Sequence, residues 1–210
     1  MSSSQIGRFW KWFEEHQEDI IRAVKTCDDS WLGHELTSRV VALTPDGKRP
    51  RLNWEIGPGA EKEWRFCFSP LVKDNLVLTE NFVAKSPRMQ RWEFLAAKPA
   101  RPLRRLFYRL VDESGEEYGF LANDWDYVLL SHGEGRFSID IIGDIPSQLD
   151  AGFRLRVGYV LVEGILGERF TIEHIAEVRL VRPEEIDESL PRTKLVKLRR
   201  HLEHLVQQGF

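Results

Sequence analysis

Four glutamates stand where an acid–base pair could be assembled. Glu55 and Glu93 each follow a tryptophan in a strand-like run, and Glu163 and Glu168 flank the end of an apolar segment. Paired acids in such places are the hardware of glycoside hydrolysis and of divalent-metal sites. Alternation, however, sets Glu55 on the face opposite Leu52, Trp54 and Ile56, away from the indole that would raise its pKa by burial. With 33 acidic residues in the chain, solvated or ion-paired roles are the expected reading of all four.

The other chemistry-bearing residues are weighed the same way. His201 and His204 lie at i, i+3 on a helix with Glu203 between them, their directions about 60° apart, close enough to share a metal. Two ligands do not make a site, so no metal and no cofactor is expected. His16 falls within the apolar face of the first helix, where the expected role is a hydrogen-bonded core-edge histidine rather than a pKa-tuned base. Gly57-Pro58-Gly59 fails as a phosphate loop, because proline removes a donor and the turn joins two strands. Arg101, Arg104, Arg105 and Arg109 beside Phe107 and Tyr108 could form a nucleic-acid stacking platform. No net positive charge stands behind them, so ion pairing with an acidic connector at 182–191 is expected and nucleic-acid binding is not. The sequence has no G-x-S-x-G, H-E-x-x-H or G-x-G-x-x-G motif, which removes the usual positive signs of an enzyme.

The elements that must position these residues are legible. Residues 5–26 form a helix with Phe9, Trp12, Phe13, His16, Ile20, Ala23 and Val24 on one face. Asp28-Asp29-Ser30 caps a second helix carrying Leu32, Leu36, Val40 and Leu43. PDGKRP (45–50) is a turn. Strands follow at 51–57 and 63–69 across a hairpin loop, then a helix over 71–85 and a strand over 91–97. KPARPLRR (98–105) reads as the linker between two halves. Strands at 106–112, 118–122, 125–131 and 136–143 form an antiparallel run. Residues 148–166 satisfy both periodicities, and their length favours a helix ending near Gly167. A strand is expected over 169–181, and a last helix over 192–208 with a seam of Leu195, Leu198, Leu202 and Leu205.

The chain of 210 residues, 42% hydrophobic and 30% charged, with a formal charge of −3, describes a soluble globular protein. Balanced charge argues against a sequence-independent binder of nucleic acid or membrane surfaces. Cys27 and Cys67 read as reduced, mostly buried thiols, and MSSSQIGRFWKWFEEH lacks the basic and apolar regions of a signal peptide, so a cytoplasmic location is expected. No window is long and apolar enough to span a membrane.

Five landmarks in order, FWKWFEEH, LNWEIGPG, CFSP, AKSPRMQRWEFLAAKPAR and EGILGERFTIEHI, together resemble an uncharacterised bacterial family, a domain of unknown function. The likeness covers most of residues 8–181. It implies a soluble α+β protein, supplies no catalytic residue, and does not extend to the leucine-seam helix. The sequence thus predicts an α+β fold: two mainly antiparallel sheet-and-helix halves packed as one unit, at 1–98 and 106–181, followed by a connector and helix at 182–210. The expected function is binding of a protein partner, of which an immunity-type role is one form. The rival is a carboxylate- or metal-dependent hydrolase using Glu55, Glu93, Glu163 and Glu168. The leucine seam is expected either to form a homodimer or to dock on the protein's own sheet.

Overall fold

The computed structural model describes residues 3–44, 51–102 and 106–210. The expected turn at 45–50 and part of the expected linker, with Arg104 and Arg105, lie outside the described residues. The fold is α+β, and the chain divides into two compact units, Met1–Lys98 and Pro99–Phe210. No helix among the described residues is long and apolar enough to cross a membrane.

In the first unit, α1 (Ser3–Thr26) buries Ile6, Phe9, Trp10, Phe13, Ile20 and Ile21. It ends in a Schellman motif: Asp28 N–H donates to the Ala23 carbonyl and Cys27 N–H to that of Val24. Cys27, at φ 53, fills the left-handed position usually given to glycine, and it is exposed rather than buried as expected. Asp28 then caps the next helix by accepting the Trp31 N–H at 3.1 Å. That helix runs as α2 (Asp29–Trp31), a π-helical Leu32–Thr37 and α3 (Ser38–Ala42).

Strands β1 (Asn53–Pro58) and β2 (Trp64–Ser69) form the expected antiparallel hairpin, and α4 (Lys73–Val83) carries the chain over to β3 (Trp92–Leu95), parallel to β2. Alternation puts Phe66, Phe68 and Trp92 on the buried face, where Phe9 and Phe13 of α1 and Phe82 of α4 meet them edge-on or tilted. The Trp10 indole N–H donates to the Phe82 carbonyl at 3.0 Å, tying α1 to α4. Trp54 is half-buried at the margin of this aromatic core, and its indole N–H donates to the Thr37 hydroxyl at 3.0 Å.

The second unit repeats the same plan. Strands β6 (Asp126–Ser131) and β7 (Phe137–Ile142) form a hairpin, α5 (Ala151–Leu166) and α6 (Glu168–His174) cross over, and β8 (Ile175–Val181) adds parallel to β7. The Asp150 carboxylate caps α5 by accepting the Phe153 N–H at 2.8 Å, so the helical reading of 148–166 holds. Strand β9 (Thr193–Lys194) joins the other side of β6, giving the order β8-β7-β6-β9. A separate ribbon of β4 (Phe107–Val111) and β5 (Glu117–Leu121) precedes this sheet.

Two expectations are corrected, and an open one is decided. The strand expected over 169–181 begins only at Ile175, because Glu168–His174 is helical. Arg136 donates to the carbonyls of Ile172 and Glu173 at 3.2 and 3.1 Å, closing the end of that helix through a contact no local pattern reveals. The last helix, α7, starts at Leu198, after β9 and a single 3₁₀ turn. Leu195, Leu198 and Leu202 are fully buried in the unit's own core and Leu205 packs against it, so of the two expected roles of the seam the structure shows docking within the chain.

Candidate functional site

The glutamates fall on structural duty where their partners are seen. Glu55 of β1 pairs with Arg65 of β2 at 3.2 Å. Glu93 of β3 reaches the hairpin loop, where its carboxylate accepts the N–H groups of Ala60 (2.6 Å) and Glu61 (3.2 Å). Two backbone donors on one carboxylate fix the Gly-Pro-Gly turn, which therefore receives an anion from its own chain. A Cβ on Gly59 would lie 2.3 Å from the Lys62 carbonyl oxygen, so that tight seat requires glycine. Glu163 is half-buried on α5, and its carbonyl accepts the Gly167 N–H at 2.8 Å. Glu168 opens α6 and is completely buried. None of the four lines the cleft along β5, the cleft beside α7 or the small cleft at Trp12. Among the described residues no group of three or more His, Cys, Asp or Glu is placed to hold a metal ion.

His16 is a core-edge histidine: its Nδ1 lies 2.9 Å from the Trp12 carbonyl, and its ring stacks on that indole. Of the arginine cluster, the partners seen for Arg101 and Arg109 lie in the ribbon. Arg109 pairs with Glu117 across the ribbon at 3.6 Å, and the Arg101 guanidinium lies over the Tyr108 ring. The connector's Glu185 instead binds Arg154 and Arg182, and hydrogen bonds from the Arg182 N–H and from the Arg182 and Arg154 side chains hold its carboxyl down at about 2.

The β5 cleft, of about 470 Å³ and lined by Tyr118, Gly119, Phe120, Leu121, Trp125, Asp144, Ile145 and Pro146, runs along that strand. Residues of a strand alternate between its faces, so four consecutive ones can line a cleft together only along the strand's edge. The hydrogen-bond pattern identifies that edge. Ala122 N–H donates to Leu106 and Asp112 N–H to Glu116 at the two ends of the ribbon. The alternation between them points the N–H and C=O groups of Tyr118 and Phe120 toward β4 and those of Glu117, Gly119 and Leu121 outward. No strand among the described residues pairs with that outward side. Side chains of Phe120 (3% exposed) and Trp125 (8%) supply an aromatic wall anchored in the core.

The cleft's surroundings are acidic. Among the described residues, Asp144, exposed and without an ion pair, is the only charged one lining it. At the turn end lie Glu113, Glu116 and Glu117, and the Tyr118 phenol is pushed up by burial and then by the Glu116 and Asp112 carboxylates. Asp112 organises that turn by accepting from the Ser114 hydroxyl and the N–H groups of Ser114 and Glu116, which holds its carboxyl down.

The α7 cleft, of about 530 Å³, is lined by Thr193, Lys197, Arg200, His201 and His204. The small cleft, of about 210 Å³, lies where Arg39 stacks on Trp12. Sequence reasoning singles out His201 and His204 but not Lys197 and Arg200, although the spacing i, i+3, i+4, i+7 places all four on one helical face. The open edge of β5 leaves no comparable signal, because strand pattern does not say which strands lack a neighbour. Comparison of the chain with protein-family models, with curated proteins and with solved structures finds no match.

Proposed function

We propose that this protein acts by binding rather than by catalysis, and that it takes an extended, basic peptide segment of a protein partner as an added strand on β5. The observation that carries this reading is the cleft lined by four consecutive β5 residues, of which Gly119 and Leu121 turn their backbone groups outward. Strand addition of this kind draws its affinity from main-chain hydrogen bonds and its specificity from alternate side chains. Here the inward-facing residues of the peptide would meet Trp125, Ile145 and Pro146, which favours apolar groups at every second position. The remaining positions would lie near Asp144 and the turn residues Glu113 and Glu116, Glu117 being paired with Arg109, which favours lysine or arginine. Two of the carboxylates that a hydrolase would need support the same conclusion, since Glu55 and Glu93 hold structural partners.

The test uses synthetic octapeptides of alternating valine and lysine, of valine and glutamate, and of valine and lysine with alternate amides N-methylated. The first is expected to bind and to slow amide exchange at Gly119 and Leu121, while Tyr118 and Phe120 stay protected throughout. The glutamate and N-methylated peptides are expected to bind far more weakly. Asp144→Lys should weaken the lysine peptide several-fold, in line with about 0.2–1 kcal/mol for one exposed charge pair. Equal binding of all three peptides, or unchanged exchange at Gly119 and Leu121 on saturation, would overturn the reading.

A further inference from the structure

The α7 cleft differs from the β5 cleft in every respect that matters for recognition. Lys197, Arg200, His201 and His204 project from one side of the helix, and Thr193 of β9 faces them. No carboxylate is among the lining residues. The carboxylate one turn along, Glu203, is taken by Arg199 at 2.9 Å, and Asp126 by Lys194 at 2.9 Å. Lys197 and Arg200 form no ion pair among the described residues. A divalent cation is thus disfavoured even though two imidazoles are present, because two fixed positive charges line the same cleft.

One member of the set is held in position. The Tyr127 hydroxyl lies 2.6 Å from Nδ1 of His201, and the Tyr127 side chain is almost wholly buried in the core. Burial pushes its phenol up to about 12, so it keeps its proton throughout the neutral range. A phenol that keeps its proton has it to donate to Nδ1, the arrangement that places the hydrogen of the neutral imidazole on Nε2. His201 then presents a donor to the cleft, as Lys197 and Arg200 do.

From this geometry we infer that the α7 cleft is a binding site for a phosphate monoester, with Lys197, Arg200, His201, His204 and Thr193 around the phosphoryl group. A lysine, an arginine, imidazole donors and a hydroxyl are the side chains that hold phosphoryl oxygens through charge-assisted hydrogen bonds. The volume of about 530 Å³ is far larger than a bare oxyanion, so the phosphate belongs to a larger small molecule. The site is separate from the β5 edge and does not depend on the peptide reading.

The experiment is calorimetric titration of the full chain with AMP, glucose 6-phosphate, phosphoserine and inorganic pyrophosphate, each ester against its dephosphorylated parent. At least one ester is expected to bind at least tenfold more tightly than its parent. Arg200→Gln and Lys197→Gln, both at exposed positions, should each weaken it by roughly tenfold to a hundredfold, the worth of a hydrogen bond to a charged group. Arg199→Gln, one residue away but paired with Glu203, should leave affinity unchanged. Tyr127→Phe tests the positioning role: it should weaken binding and shift the ¹⁵N tautomer signature of His201. The inference is overturned if no ester and no pyrophosphate binds at millimolar concentration. It is equally overturned if Arg199→Gln weakens binding as much as Arg200→Gln, or if zinc binds at His201 and His204 in preference to any phosphate.

Discussion

Trp125 lies flat against the backbone of Gly143, and replacing that glycine by alanine tests how firmly the wall of the β5 cleft is built. A Cβ at position 143 would sit 2.4, 2.5 and 2.6 Å from Cδ2, Cε2 and Cε3 of the indole. Carbon atoms in contact need about 3.5–4.0 Å, so the whole ring must retreat by roughly 1 Å. The ring is 8% exposed and packs edge-on to Phe120, so it cannot shift without disturbing its neighbours. Overpacking of this kind costs about 1–3 kcal/mol, and three ring atoms blocked at once by a rigid backbone place Gly143→Ala at about 2–3 kcal/mol. With a urea dependence of about 1–3 kcal/mol per molar, the midpoint falls by roughly 1 M or more. The transition should be followed through amide resonances of residues 99–210, so that the first unit does not contribute. Trp125→Phe supplies the second arm, because a smaller ring leaves room for the methyl group. In that background Gly143→Ala should cost less than about 1 kcal/mol, a coupling of the size expected for residues in direct contact. A Gly143→Ala variant within about 0.5 kcal/mol of the parent, or an equal cost in both backgrounds, would refute the reasoning.

Cys27→Gly should stabilise the first unit by about 0.5–1 kcal/mol, since Cys27 holds a left-handed C-cap at φ 53 that glycine adopts without a Cβ penalty; a urea titration read through α1 amides checks it. Leu202→Ala should cost about 2–5 kcal/mol while light scattering shows the same mass as the parent at every concentration, because the side chain is fully buried within its own chain. Glu185 has a folded-state carboxyl lowered from its ordinary 4.5 to about 2. The stability it contributes is therefore complete above pH 4.5 and lost as pH falls through about 2. Glu185→Gln should flatten that part of the acid limb in urea midpoints measured from about pH 5 down to about pH 2.

Local pattern suffices where a residue's neighbours in sequence decide its environment. The α1 stripe, the β1–β2 hairpin and the α5 helix with its Asp150 cap all follow from periodicity and capping chemistry. It fails where a distant group decides. Periodicity leaves Trp10 off the buried face of α1, yet it is covered because Phe68 of β2 and Phe82 of α4 both meet it and widen the helix's buried arc. Residues 169–174 read as a strand because Thr171 and Ile172 favour one, but carbonyls capped by Arg136 hold them helical. The seam of α7 admits a homodimer or the protein's own sheet, and only the position of β9 beside β6 brings Leu195 and Leu198 under that sheet. Among candidate sites, the sequence places His201 and His204 on one helix, while the adjoining role of Tyr127, seventy-four residues away, is purely tertiary.

The open edge of β5 follows from how the second unit departs from the plan it shares with the first. Both units build a hairpin and add a parallel strand through a crossover, but only the second carries an additional ribbon that joins no larger sheet among the described residues. A two-stranded ribbon is marginal alone; here Tyr108 and Phe120 anchor its inner face, and Arg156 donates to the Val111 carbonyl on the β4 side. That leaves β5 with the exposed row of backbone groups that proteins ordinarily cover, because such rows recruit other chains. Charge decides which chains. Two copies of β5 meeting edge to edge would bring the acidic set of each, Glu116 and Asp144, against that of the other, in a cleft with no basic lining residue among the described residues. A basic strand meets no such repulsion. The same acidic residues that keep the edge from pairing with itself therefore select the partner it accepts.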